Sequence, residues 1–366
     1  MPMAVLVYIR EPGSISSVPL AIDGDRFVDP ATATIERELD TSTWWAIPGL
    51  SDCHAHLGME RMGDAGRLTD ADMEANAARH AVMQIEGGVL LVLDKGSSSE
   101  VTLRVLYAPA DRRPELQMAG RIIAGPGGYY PFYALEVDEE GLADAVTEAA
   151  ATAAGWVKII GDWPRRGEGP RANYTLAGLR RAVSAAHAAG ARVAIHTMAP
   201  AVASVAVDAG VDSIEHGTFL TEADLQALAA RGGAWVPTVT NTASIVEFLG
   251  TDSSGGRLLT EGLANISSLL PVAERLGVTV LAGTDLAVPH GRVAVEAVAL
   301  RDAGLSTAAA LAAVSTSAYA YAGVDRGFRP GAVADVVFVD ADPMEELETL
   351  LTPRLVIRAG RVVHRS

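Results

Sequence analysis

Cysteine, aromatic residues and positive charge are all scarce in this chain of 366 residues. A single cysteine, Cys53, excludes an intramolecular disulfide framework and fits a reducing cytoplasm, the expected location. It stands between Asp52 and His54, where strand alternation predicts a thiol on the face opposite the histidine, as a small buried apolar side chain. Aromatics make up only 5%, so small side chains must do most of the packing, and a 49% hydrophobic content rich in Ala, Val and Leu suffices for a large core. Lys and Arg number 29 against 45 Asp and Glu, a net charge of −16. Without a basic stripe this argues against a nucleic-acid partner, and the acidic surplus reads as a solubility feature. No apolar run reaches membrane length, since the Ala-rich stretch 308–324 is broken by Ser and Thr. The opening Met-Pro-Met-Ala-Val-Leu-Val-Tyr-Ile-Arg lacks a basic leader and reads as a first strand rather than a signal peptide. No membrane partner is expected, and a homo-oligomer stays open.

What is present is an alternation of short apolar runs with helical patterns. The runs 46–52, 89–94, 117–124, 155–160, 191–196, 211–215, 234–239 and 278–283 read as strands, each followed by a helix-length segment. The stretch 176–189 carries apolar residues at helical spacing and stops at Gly190, a fitting position just past a helix end. Thr221 with Asp224 opens 222–231 in the manner of a capping box. This count predicts an α/β fold, a (β/α)8 TIM-like barrel, over 49–328. The flanks 1–48 and 329–366 lack helical period and alternate like strands, one around the turn Asp23-Gly24-Asp25, the other after Pro330-Gly331. They predict the two halves of one small β-sandwich beside the barrel.

Polar residues stand at the ends of several strands, where a barrel keeps its chemistry. Pro48-Gly49-Leu50-Ser51-Asp52-Cys53-His54-Ala55-His56 holds a His-x-His pair whose imidazoles share one strand face. Lys158 lies between Val157 and Ile159, where a buried ammonium is costly and its pKa is driven down. A neutral amine there can add carbon dioxide to give a carbamate, whose two oxygens can bridge two cations; the alternative is a lysine reaching the barrel mouth as a substrate contact. His196, His216 and Asp285 end the runs Val-Ala-Ile-His, Ser-Ile-Glu-His and Gly-Thr-Asp. Imidazole and carboxylate suit zinc and other borderline metals.

With these motifs the chain resembles the amidohydrolase superfamily, in particular the branch of imidazolonepropionase-like proteins and metal-dependent Xaa-Pro dipeptidases. The resemblance also takes in Ala186-His187-Ala188-Ala189-Gly190 and the closing Pro330-Gly331 with Ala334-Asp335-Val336-Val337. It implies two divalent metal ions, zinc by default. His54, His56 and Asp285 would hold one ion, His196 and His216 the other, with carboxylated Lys158 and a hydroxide bridging both. It further implies attack of that hydroxide on a carbonyl of a small substrate, most simply at an amide or peptide C–N bond, with Asp285 moving the proton. A lactonase or esterase on the same site is the alternative. A catalytically silent barrel scaffold is the rival outside enzymes, although all six ligands are in place.

The pattern also breaks. Thr197-Met198-Ala199 follow His196 where ring deaminases of the superfamily carry an acid. The usual Gly-Gly-His-Gly after strand three is replaced by Gly125-Pro126-Gly127-Gly128-Tyr129-Tyr130, so Tyr129 either hydrogen-bonds a substrate carbonyl or, with Tyr130, walls an apolar pocket. The usual Arg-Asp after strand two is replaced by Asp94-Lys95. Arg165 and Arg166, in the loop after Lys158, either clamp an anionic substrate group or are solvated charges. His290 and Arg292 follow Asp285 in another rim loop with the same ambiguity, whereas His80, His187 and His364 read as non-catalytic.

Overall fold

A computed structural model describes residues 3–165 and 167–366. Eight parallel strands neighbour one another in chain order: β1 (Leu50–Ala55), β2 (Val89–Asp94), β3 (Glu115–Ala119), β4 (Gly155–Ile160), β5 (Arg192–Thr197), β6 (Ser213–His216), β7 (Ala234–Val236) and β8 (Thr279–Val280). Backbone bonds from Cys53 N–H to the Ala282 carbonyl (2.8 Å) and from Asp285 N–H to the His54 carbonyl (2.7 Å) tie the last segment to the first. The result is a TIM-like barrel.

Side-chain alternation sorts each strand between two environments. On β4, Val157 and Ile159 face the helix-covered core with Val193, Ile195 and Ile214. Trp156 turns inward and packs with Leu91, Leu93, Ala194, Val236 and Leu281. Ile160, four residues on, joins Tyr129 and Tyr133 in a separate cluster. Lys158 lies between these inward layers, at 2% exposure. The outer helices obey their sequence signals. Helix Leu176–Ala188 buries Leu179, Ala182, Val183 and Ala186 at three- and four-residue spacing, and Gly190 follows with φ 78°. Helix Glu222–Arg231 opens with the expected reciprocal Thr221–Asp224 bonds.

Four strand expectations need correction, the first being 234–239, which is a strand only over Ala234–Val236 because Val239 already opens a helix. The run 46–52 splits, because Pro48 cannot donate to a ladder and Gly49 turns the chain with φ 129°. Its first half, Trp45–Ile47, pairs antiparallel with Val336–Val339, while its second half begins β1. The run 117–124 is interrupted after Ala119 and resumes as Ile123–Ala124. The run 278–283 keeps ladder geometry only over Thr279–Val280.

The flanking residues make two four-stranded sheets. One runs Arg26–Val28, Val18–Asp23, Met3–Ile9, Thr34–Glu38; the other runs Arg361–Arg365, Leu355–Arg358, Val336–Val339, Trp45–Ile47. Val7, Ile22 and Phe27 from the first share one apolar cluster with Val336, Phe338 and Ile357 from the second. Among the described residues no helix is long and apolar enough to cross a membrane.

Candidate metal centre

Donor atoms of His54, His216 and Asp285 all lie within 4.8 Å of one another, and all three residues are buried. Asp285 is the hub. Its Oδ1 lies 3.3 Å from His56 Nε2 and 3.5 Å from His54 Nε2, and its Oδ2 lies 3.7 Å from His216 Nε2. Lys158 Nζ is 3.4 Å from His54 Nε2. His196 stands further out, its ring centroid 4.5 Å from that of His216 and its Nε2 3.9 Å from Asp162 Oδ1. The six expected ligands therefore share one end of the barrel: His54, His56 and His216 around Asp285, Lys158 beside His54 and His196 beside His216.

Backbone geometry explains how neighbours in sequence reach the same place. Glu215 and His216 are adjacent, so a regular strand would point them apart. His216 instead takes φ 62°, and both side chains face the interior. Asp285 takes φ 43° and is held by its own N–H on the His54 carbonyl and by Asn241 Nδ2 on its carbonyl (2.9 Å). Left-handed backbone at non-glycine residues costs on the order of 1–3 kcal/mol and collects at functional sites. Gly283 is required beside it, since a Cβ there would lie 2.6 Å from His54 Cβ.

The hydrogen bonds on the far ring nitrogens set the tautomers. His56 Nδ1 meets the Gly96 carbonyl at 2.7 Å, and a carbonyl only accepts, so Nδ1 carries the proton. His216 Nδ1 meets Thr238 Oγ1 at 2.6 Å, while that hydroxyl donates to the Pro237 carbonyl, so the imidazole again donates through Nδ1. Both Nε2 lone pairs then face Asp285 oxygens, and the buried His216 Nε2 has no hydrogen-bond partner among the described residues. Lone pair against lone pair is unfavourable unless a cation or proton lies between them. This donor set fits metal ions.

The electrostatics agree. Burial drives the Lys158 ammonium down to about 8, against the opposing pull of Glu215 and Asp285. Burial likewise pushes His216 down to about 3, helped by Lys158. Burial acts upward on Asp285, but His54 and His56 outweigh it and bring the carboxyl to about 2. For His56 burial disfavours the imidazolium, yet its bond to Asp285 prevails and raises it.

Sequence reasoning missed a supporting shell of buried charges. Glu215 Oε2 lies 2.8 Å from His54 Nδ1, at an angle outside hydrogen-bond geometry, and Ser213 Oγ donates to its Oε1 at 2.6 Å. Lys95 Nζ lies 3.1 Å from Glu215 Oε1 and 4.5 Å above the Trp156 ring, fully buried. Asp52 clasps the first and last strands, accepting from Thr284 Oγ1 (2.7 Å) and from the N–H groups of Thr284 and His54. Asp94 accepts from the N–H groups of Leu57 and Gly96, the latter on the residue whose carbonyl orients His56. A carboxylate or ammonium inside an otherwise apolar strand end was the available signal for each.

The rim residues are placed unequally. Tyr129 sits beside His196, 6.5 Å from it between ring centroids, and Tyr130 packs on Tyr129 at 5.2 Å. Arg165 does not turn to the centre: it donates to the Pro126 carbonyl (2.8 Å) and to Asn173 Oδ1 (3.1 Å), bracing the tyrosine loop. His290 is likewise committed, donating through Nε2 to the Met59 carbonyl (2.8 Å), lying 3.4 Å from Gln84 Nε2 and stacking on His80 at 4.0 Å. Neither the clamp nor the His290 substrate contact matches this bonding. Arg166 lies outside the described residues. Cys53 is buried as expected, but it packs inward with Trp156 and Leu91, because the β1 register slips between Asp52 and Ala55.

Comparison with known proteins places this geometry. The chain belongs to the amidohydrolase family, whose model matches residues 45–363. An uncharacterized protein of Mycobacterium tuberculosis is 35% identical over 332 residues, covering 87% of this chain and 85% of that one. The crystal structure of a Xaa-Pro dipeptidase with methionine bound in its active site superposes with TM-score 0.82 at 23% identity, covering 98% of this chain and 99% of that one. The ochratoxinase of Aspergillus niger superposes with TM-score 0.82 at 17% identity, covering 100% and 96%. These likenesses to solved structures speak for the fold, and family membership makes the chain a hydrolase.

Proposed function

We propose that this chain hydrolyses an amide or peptide-type C–N bond of a small substrate, using a pair of divalent cations, zinc by default. The observation that carries the reading is Asp285, whose buried carboxylate faces the Nε2 atoms of His54, His56 and His216 at 3.3–3.7 Å. His54, His56 and Asp285 would hold one ion and His196 with His216 the other. Lys158 would bridge them after its neutral amine adds to carbon dioxide, forming an N–C bond and releasing a proton to give the carbamate. When bound, such ions polarise a carbonyl oxygen and bring the deprotonation of water near neutral pH.

The chain's own residues supply the rest. Asp285 takes the proton of the attacking water and passes it to the departing amine. Its backbone bonds to His54 and Asn241 fix the carboxylate for that transfer. Glu215, the Gly96 carbonyl and Thr238 hold His54, His56 and His216 in orientation, so little reorganisation accompanies reaction. The division into a barrel over 49–328 and a small β unit drawn from both flanks belongs to the same reading, supported by the apolar cluster that both flanks share.

The C–N preference draws support from the similar protein named as a Xaa-Pro dipeptidase. A panel of N-acyl amino acids, dipeptides, cyclic amides and lactones tests it. Turnover of the amides with weak lactone activity is the expected result; turnover of lactones alone would make the enzyme an esterase.

A further inference from the structure

The wall beside His196 is built from aromatic rings. Trp163 lies with its centroid 4.7 Å from that of Tyr129 and 4.8 Å from that of Tyr130, both edge to face, and 5.8 Å from that of His196. In a chain with only 5% aromatics this concentration at one rim is unusual. Leu286, next to Asp285, packs partly buried against the same cluster. Tyr130 and Trp163 are only half-buried, unlike Tyr129 behind them.

The wall is held in advance of any ligand. The loop carrying both tyrosines and the hairpin Asp162–Arg165/Gly169–Ala172 carrying Trp163 are cross-braced. Arg165 donates to the Pro126 carbonyl, and Asn173 Nδ2 donates to the carbonyls of Gly128 (3.0 Å) and Ile160 (2.9 Å). The fit is close enough that a Cβ on Gly128 would lie 2.2 Å from Asn173 Oδ1. A rigid apolar surface binds a flat apolar group without paying for its own ordering. Edge-to-face rings leave open faces and edges that suit a further ring.

We infer that Tyr129, Tyr130 and Trp163 form a subsite for an aromatic ring next to the scissile carbonyl, so that preferred substrates are aryl-bearing amides rather than small aliphatic ones. The inference rests on the amide-hydrolase reading and names the substrate class for that site.

The test compares N-benzoylglycine and N-acetyl-phenylalanine with N-acetylglycine by kcat/KM, in the metal-loaded wild type and in Trp163→Leu and Tyr130→Leu variants. In parallel, calorimetry measures phenylacetate and acetate binding to the same proteins. The wild type should prefer at least one aryl amide by about tenfold or more, with the ratio collapsing towards one in Trp163→Leu. Phenylacetate should bind about tenfold tighter than acetate, and this difference should shrink in the same variant. Equal kcat/KM for aryl and aliphatic amides, or ratios unmoved by both substitutions, would overturn the subsite. If no amide is turned over, the calorimetry decides: a phenylacetate preference lost in Trp163→Leu sustains the subsite while the amide reading fails, and no preference overturns the subsite too.

Discussion

Glu215 Oε2 and His54 Nδ1 lie 2.8 Å apart, both side chains fully enclosed, and Lys95 Nζ stands 3.1 Å from the other Glu215 oxygen. The glutamate thus faces the His54 imidazole on one side and the buried Lys95 ammonium on the other. Removing one member of a buried pair strands its partner, at about 3–5 kcal/mol. Partners of ligand imidazoles commonly carry about 10–100-fold of metal affinity. Glu215→Gln should therefore lower both stability in urea and metal retention against a chelator. Adding Lys95→Met should restore stability but not metal affinity. Recovery of both would mean that Glu215 serves packing alone.

Lys158→Ala should lose metal and activity together, and short carboxylic acids should restore part of both by standing in for the proposed carbamate oxygens. Metal analysis before and after adding acetate or formate checks this. Full metal content in the untreated variant would remove Lys158 from the centre.

Arg165 and Asn173 brace the tyrosine loop, so their loss should act on all substrates alike. Arg165→Ala should raise KM for neutral and anionic amides by similar factors and speed proteolysis of the loop 125–133. A KM effect confined to anionic substrates would assign Arg165 to substrate recognition instead.

His290 offers a pH signature. Burial, reinforced by the neighbouring His80, lowers its pKa from 6.5 to about 4. The unfolded chain therefore takes up a proton below about pH 6.5 that the folded chain refuses until about pH 4. The contribution to stability is complete above pH 6.5 and is lost as pH falls towards 4, a change of about 3 kcal/mol. His290→Gln should show a shallower fall in urea stability across that window, measured on metal-free protein. Equal slopes would show that His290 titrates normally in the folded state.

Much of this was legible in the sequence. The strands Val89–Asp94 and Gly155–Ile160 and the helix Glu222–Arg231 fall where apolar runs and caps placed them. The proposed ligands stood out because His196 ends an apolar run, Lys158 interrupts one, and the others stand in the short polar motifs His54-Ala55-His56, Glu215-His216 and Thr284-Asp285 that close such runs. What stayed hidden depends on departures from ideal geometry. Alternation alone would put Glu215 opposite His216, and only φ 62° at His216 brings both inside. The β1 register slip turned Cys53 inward for the same kind of reason. The bracing role of Arg165 depends on a carbonyl 39 residues away, which no local pattern encodes.

Gly283 shows how tightly the last strand end must approach the first. Gly283→Ala would place a Cβ 2.6 Å from His54 Cβ and 2.7 Å from Val236 Cγ1. With no flexible chain end to move aside, the expected cost is about 1–3 kcal/mol or more, with loss of bound metal. Wild-type thermal stability and metal content in this variant would contradict the close approach.

The most direct test of the whole account is the metal content of the purified, folded chain by elemental mass spectrometry. About two divalent transition-metal ions per chain are expected, falling sharply in His54→Ala and Asp285→Ala while the fold persists by circular dichroism. A folded and hydrolytically active wild type that holds no such ion, even after incubation with zinc, would contradict it.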